Sequence, residues 1–146
     1  MTGAGPGERA PRSWLYVPAT RPDRVEKALA GEAEAVIVDL EDSVSAHAKE
    51  TARNTVLDLA ERVRRPFHVR VNDLTGPWGA HDLSALAGAP VAGVRLPKIE
   101  SADQVFRAVD ALAHARVPVP IHVLLESALG VENAFAIATA HPDVAG

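Results

Sequence analysis

A β-branched apolar run that ends in three closely spaced carboxylates is the strongest constraint on this chain. The segment from Val36 to Asp42 has the sequence VIVDLED, so Asp39, Glu41 and Asp42 lie within four residues of one another. A strand buried on both faces has no energetic reason to end in this way, because an unpaired carboxylate removed from water costs several kcal/mol. Carboxylates at the C-terminal end of a strand are, however, what a cation or substrate site on an α/β scaffold requires.

Three further apolar runs also place polar residues at their C-terminal ends. The run FHVRVN contains Arg70 and ends on Asn72, VRLPK ends on Lys98, and HVLLES contains Glu126. Because parallel strands share one carboxyl edge, we expect Asp39, Glu41, Arg70, Lys98 and Glu126 to lie on the same rim of a sheet. The pattern therefore predicts a functional site on that rim.

Strand-like and helix-like segments alternate along the whole chain. Apolar strands buried on both faces and joined by helices predict a parallel sheet. Thr20 resembles the N-cap of the first helix, and a capping box is predicted at Ser101 and Gln104. The predicted strands are 14–17, 35–40, 67–72, 94–96 and 121–125, and the later helices are about 48–63, 82–86, from 102 onwards, and 131–140.

The spacing of the strands matches the βα units of a barrel. Strand starts lie 21 to 32 residues apart, whereas a complete (β/α)₈ barrel takes about 250 residues. We therefore expect an α/β fold of the TIM (β/α)₈-barrel type, of which this chain covers about the first five βα units. Residues 1–11 are expected to form a flexible tail, and residues 12–146 the N-terminal part of the barrel domain. The alternative is a smaller, open α/β sheet, and such a sheet would expose aggregation-prone edges.

Composition excludes several classes of protein. The net charge is −4 and no basic stripe is present, so no nucleic-acid partner is expected. The chain has no cysteine, which excludes disulfides and thiolate chemistry. No apolar run approaches the roughly 18 residues that a membrane span needs, so no membrane partner and a cytoplasmic location are expected.

Five ordered sequence blocks resemble those of a known family. They are RSWLYVPA from Arg12, AVIVDLEDSV from Ala35, VRVN from Val69, RLPKIESA from Arg95 and LESALGVENA from Leu125. Together they resemble the citrate lyase β-subunit-like group of the HpcH/HpaI aldolase superfamily, which includes malyl-CoA and citramalyl-CoA lyases. The resemblance implies a TIM barrel, a Mg²⁺ ion and reversible cleavage of a carboxyl-bearing 3-hydroxyacyl thioester into an acyl thioester and an oxo acid.

The resemblance also implies roles for individual residues. Glu126 matches the metal-ligating and substrate-contacting glutamate, and Arg70 matches the arginine that binds the substrate carboxylate. Asp42, with Glu41 beside it, matches catalytic acids that act near the metal through water or hydrogen bonds. A second metal-ligating aspartate and a distal catalytic acid would follow Gly146. The 146-residue chain alone is therefore expected to be incomplete as an enzyme. A small carboxylate or CoA thioester is the expected substrate, and a homo-oligomer the expected assembly.

Alternative interpretations remain for both the function and the residues. The protein could be an aldolase acting on free hydroxy-oxo acids, or a non-catalytic truncated binding fragment. Glu126 could cap a helix or pair with Arg70, Asp39 could bond only to backbone, Asp42 could be a capping loop residue, and Lys98 could be a solvated rim charge.

Other polar or special residues are expected to be structural. The six histidines show no metal-ligand spacing, and we interpret them as structural or exposed; they are His47, His68, His81, His114, His122 and His141. Gly130 is interpreted as a backbone requirement rather than a phosphate cradle, because a single glycine is a weak signal.

Overall fold

The computed structural model describes residues 10–113 and 118–145. Most of the predicted N-terminal tail, and also His114, lie outside the described residues. Within them, no helix is long and apolar enough to cross a bilayer.

The described residues form a five-stranded sheet with helices between the strands. All neighbouring strands are parallel and follow sequence order, as predicted. The strands are β1 (Trp14–Pro18), β2 (Ala35–Asp39), β3 (His68–Arg70), β4 (Gly93–Leu96) and β5 (Ile121–Val123). The helices are α1 (Pro22–Leu29), α2 (Lys49–Arg62), α3 (Gly79–Leu86), α4 (Ala102–Leu112), α5 (Ala128–Glu132) and α6 (Ala134–Ala138), with a 3₁₀ turn at Ala46–Ala48.

Three helix boundaries differ from the sequence prediction, the first being that of α3, which begins at Gly79 rather than near Asp82. Helix α1 begins at Pro22 with Arg21 as its N-cap, so the assignment of that role to Thr20 was wrong. The helix predicted at 131–140 begins earlier, at Ala128, and is divided at Asn133 into two short helices. The capping box of α4 is present, and the Gln104 side chain accepts a hydrogen bond from Ser101 N at 3.1 Å.

One face of the sheet forms the hydrophobic core with the helices. Successive strand side chains point to opposite faces, and the core takes alternate positions such as Val36, Val38 and Leu40 in β2 and the residue after it. The helices contribute side chains such as Val56 and Leu59, which are fully buried. The packing fixes the register of β2, and thereby the direction in which Asp39 points.

The opposite face carries aromatic and basic side chains. The rings of Trp14, His68 and His122 meet edge to face, with 4.8 Å between the first two centroids and 5.1 Å between the two histidines. The Arg95 guanidinium lies 4.0 Å from the Trp14 ring centre. Burial, with His122 and Arg95 nearby, lowers the pKa of His68 to about 4. Burial also lowers the pKa of His122, again with a contribution from Arg95.

The sheet is not closed within the described residues. Strands β1 and β5 are the outer members of its order. Beyond β5, Ile121 forms a parallel bridge with Val144, and Ile121 N donates to Asp143 O at 2.8 Å. Pairing therefore continues on the far side of β5.

We expect acid to destabilise the fold through His68. The unfolded chain protonates this histidine near pH 6.5, whereas the folded chain does so near pH 4. Because the unfolded state binds more protons between these values, stability falls as pH drops from about 6.5 towards 4, by roughly 1–2 kcal/mol at pH 5. Thermal unfolding at pH 7 and pH 5 should show a smaller pH effect in His68→Gln. His81→Gln on the exposed side of α3 is the control. Equal pH effects in the wild type, His68→Gln and His81→Gln would contradict the assignment of the effect to His68.

Candidate active site

The predicted polar residues do meet at the carboxyl-terminal rim of the sheet. Asp39 ends β2 and Arg70 ends β3, while Lys98 and Glu126 follow β4 and β5 closely. Hydrogen bonds and ion pairs link all four, through Glu41, into one continuous chain of contacts. The rim defined by Asp39, Glu41, Asp42, Arg70, Lys98 and Glu126 is called the acidic rim below.

Asp39 and Arg70 form a two-bond ion pair at the centre of the acidic rim. Arg70 Nε donates to Asp39 Oδ1 at 2.7 Å, and Nη2 donates to Oδ2 at 2.9 Å. Asp39 also accepts from Glu41 N and Ser43 N. Burial alone would raise the pKa of Asp39, but the hydrogen bonds from Arg70, Ser43 and Glu41 outweigh it and hold that pKa below its ordinary value. Asp39 is therefore a buried anion that fixes both Arg70 and the loop after β2.

The remaining terminal nitrogen of Arg70 faces two more carboxylates. Its Nη1 lies 3.0 Å from Glu41 Oε2 and 3.2 Å from Asp42 Oδ2. The Asp42 side chain is 67% exposed, whereas that of Glu41 is 6% exposed. Asp39 thus occupies the Nε–Nη2 edge, and at Nη1 the exposed partner is Asp42 rather than Glu41.

Glu41 is a buried carboxylate between two cations. Its Oε1 lies 2.9 Å from Lys98 Nζ and its Oε2 3.0 Å from Arg70 Nη1. Neither oxygen has a well-aligned hydrogen bond among the described residues. Burial raises the pKa of Glu41 above its ordinary value, although Lys98 and Arg70 act in the opposite direction. A buried carboxylate with a raised pKa is suited to accepting a proton.

Glu126 projects from the loop after β5 and contacts the loop after β4. Its Oε2 accepts a hydrogen bond from Lys98 N at 2.9 Å, and the residue is exposed. The cap of α5 is Ser127, whose side chain accepts from Gly130 N at 3.1 Å. Neither helix capping nor pairing with Arg70 therefore accounts for Glu126 in the described contacts.

The block that follows Glu126 anchors it to the neighbouring loop. Ser127 Oγ donates to Glu100 Oε1 at 2.6 Å, and Asn133 Nδ2 donates to Glu100 O at 2.8 Å. A Cβ atom on Gly130 would lie 2.6 Å from Ile99 O. Gly130 is thus a requirement of close backbone packing, as the sequence suggested.

Two buried polar residues that support the acidic rim, Lys49 and Asp82, were not identified from the sequence. Lys49 Nζ donates to Leu40 O at 2.8 Å and to Glu41 O at 2.6 Å, with the Trp78 ring centre 5.5 Å away. Burial lowers the pKa of Lys49, while Asp39 and other nearby acids oppose the shift. A lysine at the start of a helix is usually exposed, so no local signal reveals that this one holds the backbone beneath Glu41.

Asp82 likewise holds the backbone of a rim loop, here the loop after β3. It is fully buried, and its Oδ2 accepts from Asn72 N at 3.0 Å and from Asn72 Nδ2 at 2.7 Å. Arg53 Nε donates to Asp82 Oδ1 at 2.7 Å. Asn72, expected at the rim from the sequence, is therefore turned towards Asp82 and fixes the loop.

Two open cavities adjoin the acidic rim. One, of about 460 Å³, is lined by Tyr16, Asp39, Asp42 and Arg70 among others. The second, of about 400 Å³, is lined by residues that include Glu41, Asp42, Lys49, Trp78 and Lys98. Asp42 lines both, so a ligand that spanned them would pass this exposed side chain.

A family model describes almost the whole chain. Residues 12–146 match the model of HpcH/HpaI aldolase/citrate lyase. The chain belongs to this family. The resemblance inferred from the five sequence blocks is thereby confirmed.

The curated relatives that the chain matches are about twice as long as the chain itself. It is 40% identical over 139 residues to a (3S)-malyl-CoA thioesterase of Cereibacter sphaeroides, covering 92% of this chain and 47% of that protein. It is 40% identical over 144 residues to a citrate lyase subunit beta-like protein of Mycobacterium tuberculosis, covering 99% and 47%. The chain thus spans about half the length of the curated relatives that it matches.

Two solved structures resemble this chain in both fold and sequence. The citrate lyase beta subunit of M. tuberculosis complexed with oxaloacetate and magnesium superposes with a TM-score of 0.78 at 39% identity, covering 94% of this chain and 56% of that one. The M. tuberculosis protein CitE in complex with magnesium, acetoacetate and coenzyme A gives a TM-score of 0.74 at 40% identity, covering 92% and 47%. The α/β fold with a parallel sheet is therefore that of citrate lyase β-type structures.

Proposed function

We propose that this family member is a Mg²⁺-dependent carbon–carbon lyase that cleaves a carboxyl-bearing 3-hydroxyacyl thioester into an acyl thioester and an oxo acid. The observation that carries the proposal is the acidic rim, in which one arginine, one lysine and four carboxylates converge beside two open cavities. Residues 12–146 would supply the first five units of a (β/α)₈ barrel. The pairing of Ile121 with Val144 supports continuation of the sheet beyond β5.

The residues at the acidic rim fit a magnesium ion held partly by the substrate. Glu126 is an exposed carboxylate whose Oε2 accepts from Lys98 N, and no described residue hydrogen-bonds its Oε1. The described residues contain no group of three His, Cys, Asp or Glu side chains that would hold a metal by themselves. Mg²⁺ prefers few protein carboxylates, supplemented by water and substrate oxygens, so Glu126 is the proposed ligand. When bound, Mg²⁺ would lower the pKa of the substrate hydroxyl and stabilise charge on the oxo acid.

Arg70 would bind the substrate carboxylate. Asp39 holds its guanidinium rigidly, so the position of Nη1 is set before the substrate arrives. The Tyr16 ring packs 5.2 Å from the guanidinium and lines the same cavity. Exchange of Asp42 for the substrate carboxylate would leave the charge around Arg70 unchanged and free Asp42 to face the reacting hydroxyl.

Glu41 and Asp42 would handle the proton of the substrate hydroxyl. Cleavage begins when the 3-hydroxyl loses its proton and the bond between C2 and C3 breaks, and the electron pair of that bond passes to the thioester as an enolate. The raised pKa of Glu41 suits proton acceptance. The enolate then takes a proton to give the acyl thioester, a step that we assign to an acid outside the described residues.

Turnover of defined substrates tests the proposal. The full-length gene product should release acetyl-CoA or propionyl-CoA from malyl-CoA-type thioesters when Mg²⁺ is present and lose this activity with EDTA. Coenzyme A in a solved relative supports the thioester over free hydroxy-oxo acids. Cleavage of free 4-hydroxy-2-oxo acids with no acetyl-CoA binding in calorimetry would favour the aldolase instead. Absence of both activities would favour a binding protein.

Replacement of Arg70 by lysine should mainly impair substrate binding. A lysine carries a point charge and cannot bond Asp39 and a substrate carboxylate together through one planar group. We expect KM to rise by about tenfold or more, equivalent to about 1.4 kcal/mol, with a smaller change in kcat. Steady-state kinetics should show no such rise for Arg107→Lys on the exposed face of α4. An unchanged KM for Arg70→Lys would contradict this role.

A further inference from the structure

Lys98 contacts two acidic residues of the rim through two different groups. Its backbone N–H donates to Glu126 Oε2 at 2.9 Å, and its Nζ lies 2.9 Å from Glu41 Oε1. Glu41 follows β2 and Glu126 follows β5, so one residue connects the loops of two strands that are not neighbours.

The backbone of Lys98 is held in an unfavourable conformation. Its φ is 54°, and it is the one non-glycine residue with positive φ in the described part of the chain. Side chains with a Cβ disfavour this left-handed region, which glycine adopts without penalty. Strain of this kind persists where the surroundings over-determine it, and it concentrates at functional sites. The left-handed turn directs the amide at Glu126 while the side chain reaches back to Glu41.

A solvated lysine does not explain these contacts. The Lys98 side chain is 50% exposed. A lysine with this exposure and no partner to hold would lower its free energy by pointing its ammonium into water. Glu41 is buried between Lys98 and Arg70, with Asp42 beside it and Lys49 bonded to its carbonyl oxygen. The ammonium is therefore one of two cations in direct contact with the Glu41 carboxylate.

We propose that Lys98 is a positioning residue that holds Glu41 and Glu126 in a fixed relation across the rim. The backbone amide orients the Glu126 carboxylate, and the ammonium orients the Glu41 carboxylate. This inference rests on the proposed function for its kinetic consequences but not for its geometry. Substrate need not touch Lys98.

Three substitutions separate the charge of Lys98 from its backbone. Lys98→Met keeps the length and the strain but removes the charge, Lys98→Gly removes the charge and relieves the strain, and Lys98→Arg keeps the charge. In the full-length gene product, kcat should fall by about 10–100-fold for Met and Gly, the range typical of lost supporting contacts. Lys98→Arg should keep most of the activity. Lys27→Met on α1 is the matched control and should leave kcat unchanged.

Thermal stability and chemical rescue distinguish positioning from a merely structural role. Lys98→Gly should unfold at or above the wild-type temperature despite its low kcat. Methylammonium or ethylammonium in the buffer should restore part of the activity of Lys98→Gly and none of that of Glu126→Gln. Wild-type kcat in Lys98→Gly, or activity that follows the unfolding temperature across the series, would overturn the proposal.

A readout without substrate keeps this inference separate from the proposed function. In NMR spectra, Lys98→Met should move the Glu41 carboxyl carbon signal but leave the residue-98 amide proton near its wild-type position. Glu126→Gln should move that amide proton. If these shifts appear and no lyase activity is found, the proposed function fails and the positioning role stands. If Glu41 does not respond to Lys98→Met, the positioning role fails even in an active lyase.

Discussion

Replacement of Glu126 by glutamine is expected to lower the lyase rate by about 10²–10³-fold, the cost typical of removing one group that stabilises developing charge. The amide keeps an oxygen that can accept from Lys98 N, so the loop after β5 should stay in place. What is lost is the negative charge that a hard divalent cation prefers in its ligands. Calorimetry with Mg²⁺ should therefore show weaker binding, and the concentration of Mg²⁺ for half-maximal rate should rise.

Glu132→Gln provides the matched control for Glu126→Gln. Glu132 lies at the exposed end of α5, only six residues further along the same segment. The same chemical change there should leave the rate and Mg²⁺ affinity at wild-type values. An active Glu126→Gln enzyme, or robust turnover without any divalent cation, would rule out the role proposed for Glu126.

Replacement of Asp39 by alanine is expected to destabilise the fold by about 3–5 kcal/mol, the cost of breaking a buried ion pair. Arg70 would lose two short hydrogen bonds, and Glu41 N and Ser43 N would lose their acceptor. Urea unfolding of the full-length gene product should show a lower midpoint with an unchanged slope. Activity should fall as well, because Arg70 is no longer held.

Asp23→Ala tests whether burial of the ion pair is the reason for the large destabilisation expected in Asp39→Ala. The Arg21–Asp23 pair has the same two-bond geometry, with distances of 3.0 and 2.8 Å, but it lies on the exposed surface. Its loss should move the unfolding midpoint far less, since exposed ion pairs contribute little to stability. Equal midpoints for Asp39→Ala and wild type would contradict the burial argument.

The order and direction of the strands could be predicted because the sequence encodes them locally. Apolar runs such as the one before Asp39 are too short for helices and too apolar for loops, and helical segments separate them. Boundaries were less predictable where two signals competed. Thr20 and Arg21 both precede Pro22, and the turn at Asn133 divides a segment with continuous helical pattern. The sheet is open within the described residues, so the barrel expected from strand spacing stays a prediction.

The membership of the acidic rim could be predicted, but its pairing could not. Strand ends revealed that Asp39, Arg70 and Glu126 share one edge. That Asp39 takes two donors of Arg70, and that the Lys98 amide rather than Arg70 contacts Glu126, depends on loop conformations set by distant contacts. Lys49 and Asp82 could not be assigned either, because each bonds to the backbone of a loop 8 or 10 residues before it, a spacing that belongs to no regular helix or strand pattern.

The occupied edge of Arg70 limits which ligands the site can accept. With Asp39 on Nε and Nη2, a ligand meets a single terminal nitrogen that Asp42 already contacts. Binding of a substrate carboxylate, as proposed for Arg70, would therefore exchange one anion for another. An amide or ester analogue of the same shape would displace Asp42 without replacing its charge, and the guanidinium would lose part of its neutralisation. Under the role proposed for Arg70, discrimination against uncharged analogues would follow from these ion pairs and would need no additional residue that repels them.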